Sequence, residues 1–303
     1  MTPLPRRRSQ SPVRTYEGRV LPRQDEEPFD QGLSFDLGTM DRRRVLALVG
    51  IGLAGTAVAA CGTGSSTTAA SSTTTAAGTA TSTATTSAAT TAASLTEIPE
   101  ETAGPYPGDG SNGPDVLEQS GVVRQDIRAS FGGASGTADG VPMTLQLTVL
   151  DLASGGSPLT GAAVYAWHCT RDGKYSMYSD GITEENFLRG VQITDASGVV
   201  RFTSIFPGCY SGRWPHVHFE VYPDRASITD STKAIATSQV ALPQGACDAV
   251  YATSDYASSK STFSGMSLTT DNVFGDDGGA HQIGTATGSV GAGYTVALTV
   301  PVR

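Results

Sequence analysis

Short runs in which apolar and polar residues alternate recur through the last two thirds of the chain. In the run 143–150, written MTLQLTVL, every second residue is apolar, which is the period of a half-buried strand. Turn-forming residues such as Ser154-Gly155-Gly156 and Pro207-Gly208 separate these runs. No long amphipathic helix is indicated, although we expect a short helix around 184–188. The pattern predicts an all-β fold, a β-sandwich or barrel, with strands at 143–150, 163–168, 199–205, 216–222, 236–242 and 294–300.

Composition limits the folded part of the chain to its C-terminal portion. Residues 62–94 are almost entirely Ser, Thr, Ala and Gly, and contain no charge and no large apolar side chain. Such a segment buries too little apolar surface to offset the entropy of ordering it, so we interpret it as a flexible tether. Residues 95–303 remain as one folding unit that is long enough for a hydrophobic core.

The segment 40–61 has the layout of an export signal. Three arginines, Arg42, Arg43 and Arg44, precede an uncharged and mildly apolar run that ends in Val-Ala-Ala-Cys61. The paired arginines resemble a twin-arginine signal, and the sequence before Cys61 resembles a lipobox. The segment therefore predicts a lipoprotein anchored through Cys61, with a simple secretory signal and an incidental cysteine as the alternative. We expect translation to start at Met40, so that 1–39 is either disordered or an artefact of the start assignment.

Charge argues against one class of partner. Nine of the 20 basic residues lie in 1–44, and the rest of the chain carries 11 basic residues against 22 acidic ones. Nucleic-acid binding needs clustered Lys and Arg to meet the phosphate backbone. We therefore expect no nucleic-acid partner, and the acidic balance of the exported part is typical of a soluble surface.

Candidate metal ligands converge between residues 170 and 218. His216 and His218 are two residues apart on a predicted strand, so both imidazoles point to the same face. Tyr175 and Tyr210 each follow a glycine-containing turn, in Asp-Gly-Lys-Tyr and Pro-Gly-Cys-Tyr. A phenol has a pKa near 10, so only a strongly Lewis-acidic centre holds it ionised at neutral pH. Two tyrosines with two histidines indicate ferric iron better than zinc, which prefers His, Cys and carboxylate ligands.

These motifs resemble the intradiol ring-cleavage dioxygenases, the family of the protocatechuate and catechol dioxygenases. The resemblance spans about 100–250 and lies in GAAVYAWHCTRDGKYSMYS and VQITDASGVVRFTSIFPGCYSGRWPHVHFEVY, supported by ETAGPY at 101–106 and RQDI at 124–127. It implies a β-sandwich core with long Gly-rich loops, an Fe(III) cofactor, and O₂ with a catechol-type molecule as substrates. The ring would be cleaved between its two hydroxyl-bearing carbons to a cis,cis-muconate type of diacid.

The resemblance also implies a role for each matching residue. Tyr175, His216 and His218 match iron ligands that stay bound, and Tyr210 matches the tyrosine ligand that leaves when substrate binds. Arg213 matches the arginine that offsets negative charge on the substrate ring. In addition, Tyr106 matches a residue of the substrate pocket, and Gln239 matches a glutamine just behind the ligands. We expect both Tyr106 and Gln239 to contribute to substrate binding.

Some features depart from the family or stay open. The family's archetypes associate through long N-terminal segments, whereas this chain has a signal and a tether there, so the resemblance does not carry an oligomeric state. The tail 250–303 has no counterpart that we can align, and we expect its last strand to close a sheet. Besides Cys61 there are three cysteines, of which we favour a disulfide between Cys209 and Cys247. The choice among catechol, hydroxyquinol and protocatechuate stays open.

Two other functions account for parts of the pattern. A non-catalytic envelope module could bind carbohydrate or aromatic ligands, with Tyr175, Tyr210, Trp167 and Trp214 as stacking residues, but it leaves the Arg-x-x-His-x-His spacing unexplained. A cupin-type metal site would add a Glu and a later His to the histidine pair. Here Glu220 lies too close to the pair and His281 lies in a Gly-rich stretch far downstream.

Overall fold

The computed structural model describes residues 95–303 and two short paired strands near the N-terminus. The predicted signal, lipidation site and tether lie outside the described residues. Among the described residues, no helix is long and apolar enough to cross a membrane.

The strands are β1 Thr15–Tyr16, β2 Arg19–Val20, β3 Pro142–Asp151, β4 Ser157–Pro158, β5 Ala163–Trp167, β6 Arg189–Ile193, β7 Val199–Ile205, β8 His216–Tyr222, β9 Ala236–Ala241, β10 Thr285–Ser289 and β11 Gly293–Val302. The helices are α1 Gln244–Tyr251 and α2 Ala257–Phe263, with short 3₁₀ turns at Arg225–Thr229, Ser231–Lys233, Ser254–Tyr256, Leu268–Thr270 and Phe274–Asp276.

Most strands belong to two sheets. In the first, β10, β11 and β3 lie side by side, and the other edge of β3 pairs with β7 and β4. Strand β11 runs parallel to β3, whereas the other pairings are antiparallel. The second sheet has the order β6-β5-β8-β9 and is antiparallel throughout. The predicted all-β sandwich is confirmed.

The main core fills the space between the two sheets. Leu145, Leu147 and Val149 alternate along β3, and their side chains share one hydrophobic cluster with Phe219 and Val221 of β8. Because side chains of a strand alternate between its faces, the histidines of β8 must lie on the opposite side of the second sheet.

That opposite face is covered as well. Every residue of β8 is buried, including both histidines. A second cluster lies against this face, in which Tyr165 and Trp167 of β5 pack with Tyr106 and Val116 of the segment before β3. The functional face of the second sheet is therefore an interior, closed by chain that contains little regular structure.

The structure departs from the sequence prediction in several places. Residues 184–188 form turns instead of a helix, because Leu188 has a left-handed backbone with φ 58° and its N–H bonds to the carbonyl of Ile127. Strand β11 does not close the first sheet; it lies inside it, with β10 as the edge. Strands β6 and β10 and both helices were not predicted, since each is short and lacks a clear apolar period.

Candidate metal centre and its surroundings

Four donor atoms form an unbroken chain of contacts at the end of β8. The hydroxyl of Tyr175 lies 3.0 Å from that of Tyr210, which lies 3.1 Å from Nε2 of His216. Nε2 of His216 lies in turn 3.1 Å from Nε2 of His218. The four predicted ligands, which come from two loops and one strand, thus direct their polar atoms to one point.

The two imidazoles present neutral nitrogen to this point. Nδ1 of His216 lies within hydrogen-bond distance of the Trp214 carbonyl, which only accepts, so that nitrogen carries the proton and Nε2 has a free lone pair. Burial lowers the pKa of both His216 and His218 well below the ordinary value, and the charge of Arg213 lowers it further. Neutral imidazole is the form that binds metal ions.

The tyrosines meet because two loops pack directly on each other. The N–H of Gly208 donates to the Thr170 carbonyl, and a Cβ at Gly208 would lie 2.5 Å from the carbonyl oxygen of Arg171. Any side chain there would push the loops apart. This close approach explains the glycine of Pro-Gly-Cys-Tyr and brings the hydroxyls of Tyr175 and Tyr210 together.

The donor set fits a ferric ion. Burial raises the pKa of Tyr175 and of Tyr210 above that of a free phenol, so without a cation both stay protonated. Donor separations of about 3 Å suit ligands that share one ion at about 2.0–2.1 Å, and a strongly Lewis-acidic ion reverses the preference of a buried phenol for its proton. No group of three or more His, Cys, Asp or Glu in the described chain could hold a metal, so the tyrosines are needed to complete this set.

Arg213 is buried beside the donors and is held from two sides. Its Nε donates to Oδ2 of Asp271 at 3.1 Å, and its Nη2 donates to Oε1 of Gln239. Burial alone lowers the pKa of Arg213, but the net shift is upward, with the charge of Asp271 as the largest opposing cause, so the guanidinium stays charged. Gln239 also donates from Nε2 to the Thr102 carbonyl at 2.9 Å.

Asp271 connects this arginine to the histidine strand. Its Oδ2 also accepts the backbone N–H of Trp214, and its Oδ1 accepts the N–H groups of Val273 and Phe274 at 2.7 Å each. One carboxylate thus fixes Arg213, the residue whose carbonyl orients His216, and the following 3₁₀ turn. Asp271 lies in the tail and was not predicted as a site residue.

A second carboxyl near the arginine does not compete for it. Burial, followed by the repulsion of Asp276, raises the pKa of Glu101 to about 8, although a hydrogen bond to Gln282 and the charge of Arg213 oppose the rise. Below that pH Glu101 is mainly protonated. Asp271 is therefore the carboxylate that balances Arg213 at neutral pH.

A small cavity opens beside the four donors. Tyr106 forms part of its wall, with its ring 5.2 Å from that of Tyr175 and 4.9 Å from that of Tyr178. Gln239 is not part of the wall, so it supports Arg213 and does not contact the cavity as the substrate-binding prediction would require. The lining consists of Thr102, Gly104, Pro105, Tyr106, Tyr175, Tyr210, Arg213 and His218.

The favoured disulfide is absent. Cys169, Cys209 and Cys247 are all free and buried. The thiol of Cys209 contacts the Arg213 carbonyl at 3.6 Å, whereas that of Cys247 contacts the Leu242 carbonyl at 3.8 Å. Each sulfur therefore has its own backbone acceptor, and the prediction of a Cys209–Cys247 bridge is wrong for this structure.

The residues that a binding module or a cupin-type metal site would need do not lie where those functions require them. Trp167 and Trp214 are 0% and 3% exposed, so neither can present a face to a surface carbohydrate or aromatic ligand. Glu220 is buried and accepts a hydrogen bond from the Tyr222 hydroxyl at 2.7 Å. His281 is exposed in the tail and does not line the cavity.

Comparison with known proteins finds relatives for the middle of the chain. Residues 112–224 match the family model described as Dioxygenase. The chain is 31% identical over 88 residues to a chlorocatechol 1,2-dioxygenase of Rhodococcus opacus, a match that covers 23% of this chain and 34% of that protein. It is 30% identical over 130 residues to a chlorocatechol 1,2-dioxygenase of Pseudomonas putida, covering 37% and 47% of the two chains. The middle of the chain is therefore similar to dioxygenases that act on chlorinated catechols.

The fold is similar to that of a solved dioxygenase. A solved intradiol ring-cleavage dioxygenase from Tetranychus urticae superposes with a TM-score of 0.55 at 23% identity, covering 69% of this chain and 95% of that one. The chain matches only about a third to a half of the length of the two curated relatives. The segment that matches the family model contains all four donors and Arg213, whereas Gln239 and Asp271 lie beyond it.

Replacing Asp271 by alanine tests whether it is the anchor of Arg213. We expect Asp271→Ala to lower the free energy of unfolding by about 3–5 kcal/mol, because it leaves a buried guanidinium without its carboxylate. The measurement is chemical denaturation of the folded domain. Asp248→Ala, at an exposed position of α1, is the control and should change stability by less than about 0.5 kcal/mol. Equal losses in the two variants would contradict the anchoring role.

Proposed function

We propose that this protein is a non-haem Fe(III)-dependent intradiol dioxygenase. It would use O₂ to cleave a catechol-type ring between the two hydroxyl-bearing carbons, giving a cis,cis-muconate type of diacid. The observation that carries the proposal is the convergence of two phenol oxygens and two imidazole nitrogens beside a cavity with a buried arginine. The family of residues 112–224 and the named activity of the relatives support it.

The iron would be held by Tyr175, Tyr210, His216 and His218. When bound, the ferric ion would act as a Lewis acid that binds the catechol oxygens and makes the ring reactive towards O₂. Tyr175 is 2% exposed, and its backbone N–H bonds to Ser179, so its position is fixed by the core. We assign it the role of a permanent ligand.

Tyr210 is suited to leave the metal and take a proton. It is the more exposed of the two tyrosines and lies in a loop. Burial raises its pKa well above that of a free phenol, so its phenolate becomes a strong base once it is separated from the cation. Tyr210 would accept a proton from a catechol hydroxyl as the substrate binds.

Arg213 supplies charge where the substrate ring becomes negative. Its guanidinium lines the cavity and is oriented before substrate binds by Asp271 and Gln239. A pre-oriented positive charge in a water-poor site stabilises developing negative charge without a cost of reorganisation. The candidate substrates in this proposal are catechol, hydroxyquinol and protocatechuate, which differ in their ring substituents.

The test combines metal content with product analysis. Purified iron-loaded protein should show the visible absorption of ferric tyrosinate, and should consume O₂ with at least one of the three catechols to give the ring-opened diacid. Tyr175→Phe and His218→Ala should lose iron, visible absorption and O₂ uptake together, because each removes a donor of a four-donor set. Tyr256→Phe is the matched control, since this buried tyrosine bonds to the Phe206 carbonyl away from the donors.

Two results would contradict the proposal. One is a colourless wild-type protein that binds no ferric iron. The other is an iron-free His218→Ala protein with full activity.

We also propose that the enzyme is exported by a twin-arginine signal and anchored to a membrane by a lipid on Cys61. The support is the layout of 40–61, with basic residues, a short apolar run and a cysteine followed by a Ser/Thr/Ala tether. Fractionation of cells expressing the full chain tests it. Cys61→Ala should move the protein from the membrane fraction to the soluble exported fraction, because an acyl chain supplies the attachment. An unchanged membrane fraction would contradict the lipid anchor.

A further inference from the structure

His218 lacks the support that His216 has. Nδ1 of His216 is fixed by the Trp214 carbonyl, whereas Nδ1 of His218 has no hydrogen-bond partner within the described chain. The imidazole of His218 is 3% exposed, so bulk water does not orient it. A histidine that binds a metal normally donates its second N–H to an acceptor that fixes the ring. Something else must therefore hold this ring.

Trp167 lies flat on the imidazole of His218. The two ring centroids are 4.9 Å apart and the planes differ by 6°. The contact follows from the sheet register, because Trp167 of β5 and His218 of β8 are direct partners across the antiparallel pair. Trp167 is itself fully buried, and its indole N–H also has no hydrogen-bond partner in the described residues. Shape and stacking, not a hydrogen bond, thus join these two rings.

The stack continues to an anchored tyrosine. Tyr165 lies 4.8 Å from Trp167 with a 20° angle between the planes. Its hydroxyl donates to the Pro107 carbonyl at 2.6 Å and accepts from Nη1 of Arg189 at 3.1 Å. Trp167 therefore lies between the imidazole of His218 and the ring of Tyr165, which is held by two hydrogen bonds.

Two other neighbours lie at the edges of the imidazole. Gly104 has φ 72°, and a Cβ built on it would lie 3.3 Å from Cε1 of His218, so a side chain at this position would crowd the ring. The ring of His216 meets that of His218 edge-on, with centroids 4.7 Å apart and an angle of 79°. Trp167 is thus the neighbour that covers a face of the imidazole.

We propose that Trp167 is a positioning residue for the metal centre, and that its stacking on His218 replaces the hydrogen bond that usually orients such a ligand. This inference rests on the proposed function, since it assumes that His218 binds the ferric ion. Trp167 does not contact substrate in this assignment; it acts only through the imidazole.

The test separates metal binding from folding. Wild type, Trp167→Leu, Trp167→Phe and the control Phe202→Leu are compared in the full domain. Phe202 is fully buried between the sheets, so its replacement also removes a core aromatic ring but touches no donor. The measurements are the thermal unfolding of iron-free protein, the affinity for ferric iron supplied as its citrate complex, and the ferric-tyrosinate absorption.

We expect both leucine variants to unfold at lower temperature without iron. Only Trp167→Leu should weaken ferric binding, by about 10–100-fold, while Trp167→Phe should stay within about threefold of wild type because it keeps a stacking ring. Trp167→Met, which fills the space with a flexible apolar chain, replaces the leucine variant if that variant does not fold. Ferric-tyrosinate absorption should shift or weaken in the non-aromatic variants and stay unchanged in Phe202→Leu.

The possible results distinguish failure of the Trp167 inference from failure of the proposed function. Wild-type iron affinity and absorption in a folded, non-aromatic Trp167 variant would overturn the inference and leave the proposed function intact. An equal loss of iron affinity in Phe202→Leu would also overturn it, because the effect would then be a general consequence of a weakened core. Failure of the wild-type protein itself to bind ferric iron would overturn the proposed function.

Discussion

Strand β8 is buried on both of its faces, and the rest of the site depends on this. Its odd-numbered apolar side chains, Val217, Phe219 and Val221, fill the space between the sheets, so His216 and His218 point the other way. A strand buried on both faces cannot slip by one residue without placing imidazoles in the apolar core. The hydrophobic effect therefore sets the position of the histidines before any metal binds.

The two tyrosine donors and Arg213 lie on irregular chain that is held by specific contacts. Gly208 lets two tyrosine loops approach, and Asp271 ties Arg213 and Trp214 to the tail. The centre is thus assembled from the rigid sheet outwards, which suits a site whose donors must lie within about 0.5 Å of their working geometry. Of the two loop tyrosines Tyr210 is the more exposed, which suits the leaving role proposed for it.

Periodicity and motif spacing predicted the main strands and the position of the histidine pair, for physical reasons. Strands β3, β7 and β8 have a clear period of two because one face packs on the opposite sheet, and the i, i+2 rule placed both histidines on one face. Asp271 could not be predicted, because a carboxylate in a Gly-rich tail gives no local sign of a partner 58 residues away. The 184–188 turn and the unpaired Cys209 and Cys247 likewise depend on tertiary contacts. Trp167 could have been placed beside His218 from strand pairing alone, had the register of β5 and β8 been assigned.

Anomalous diffraction at the iron absorption edge, from crystals of the iron-loaded protein, locates the metal most directly. We expect one strong peak within bonding distance of the hydroxyls of Tyr175 and Tyr210 and of Nε2 of His216 and His218. A peak bound elsewhere on the protein, or no peak in protein loaded with ferric iron, would contradict this expectation.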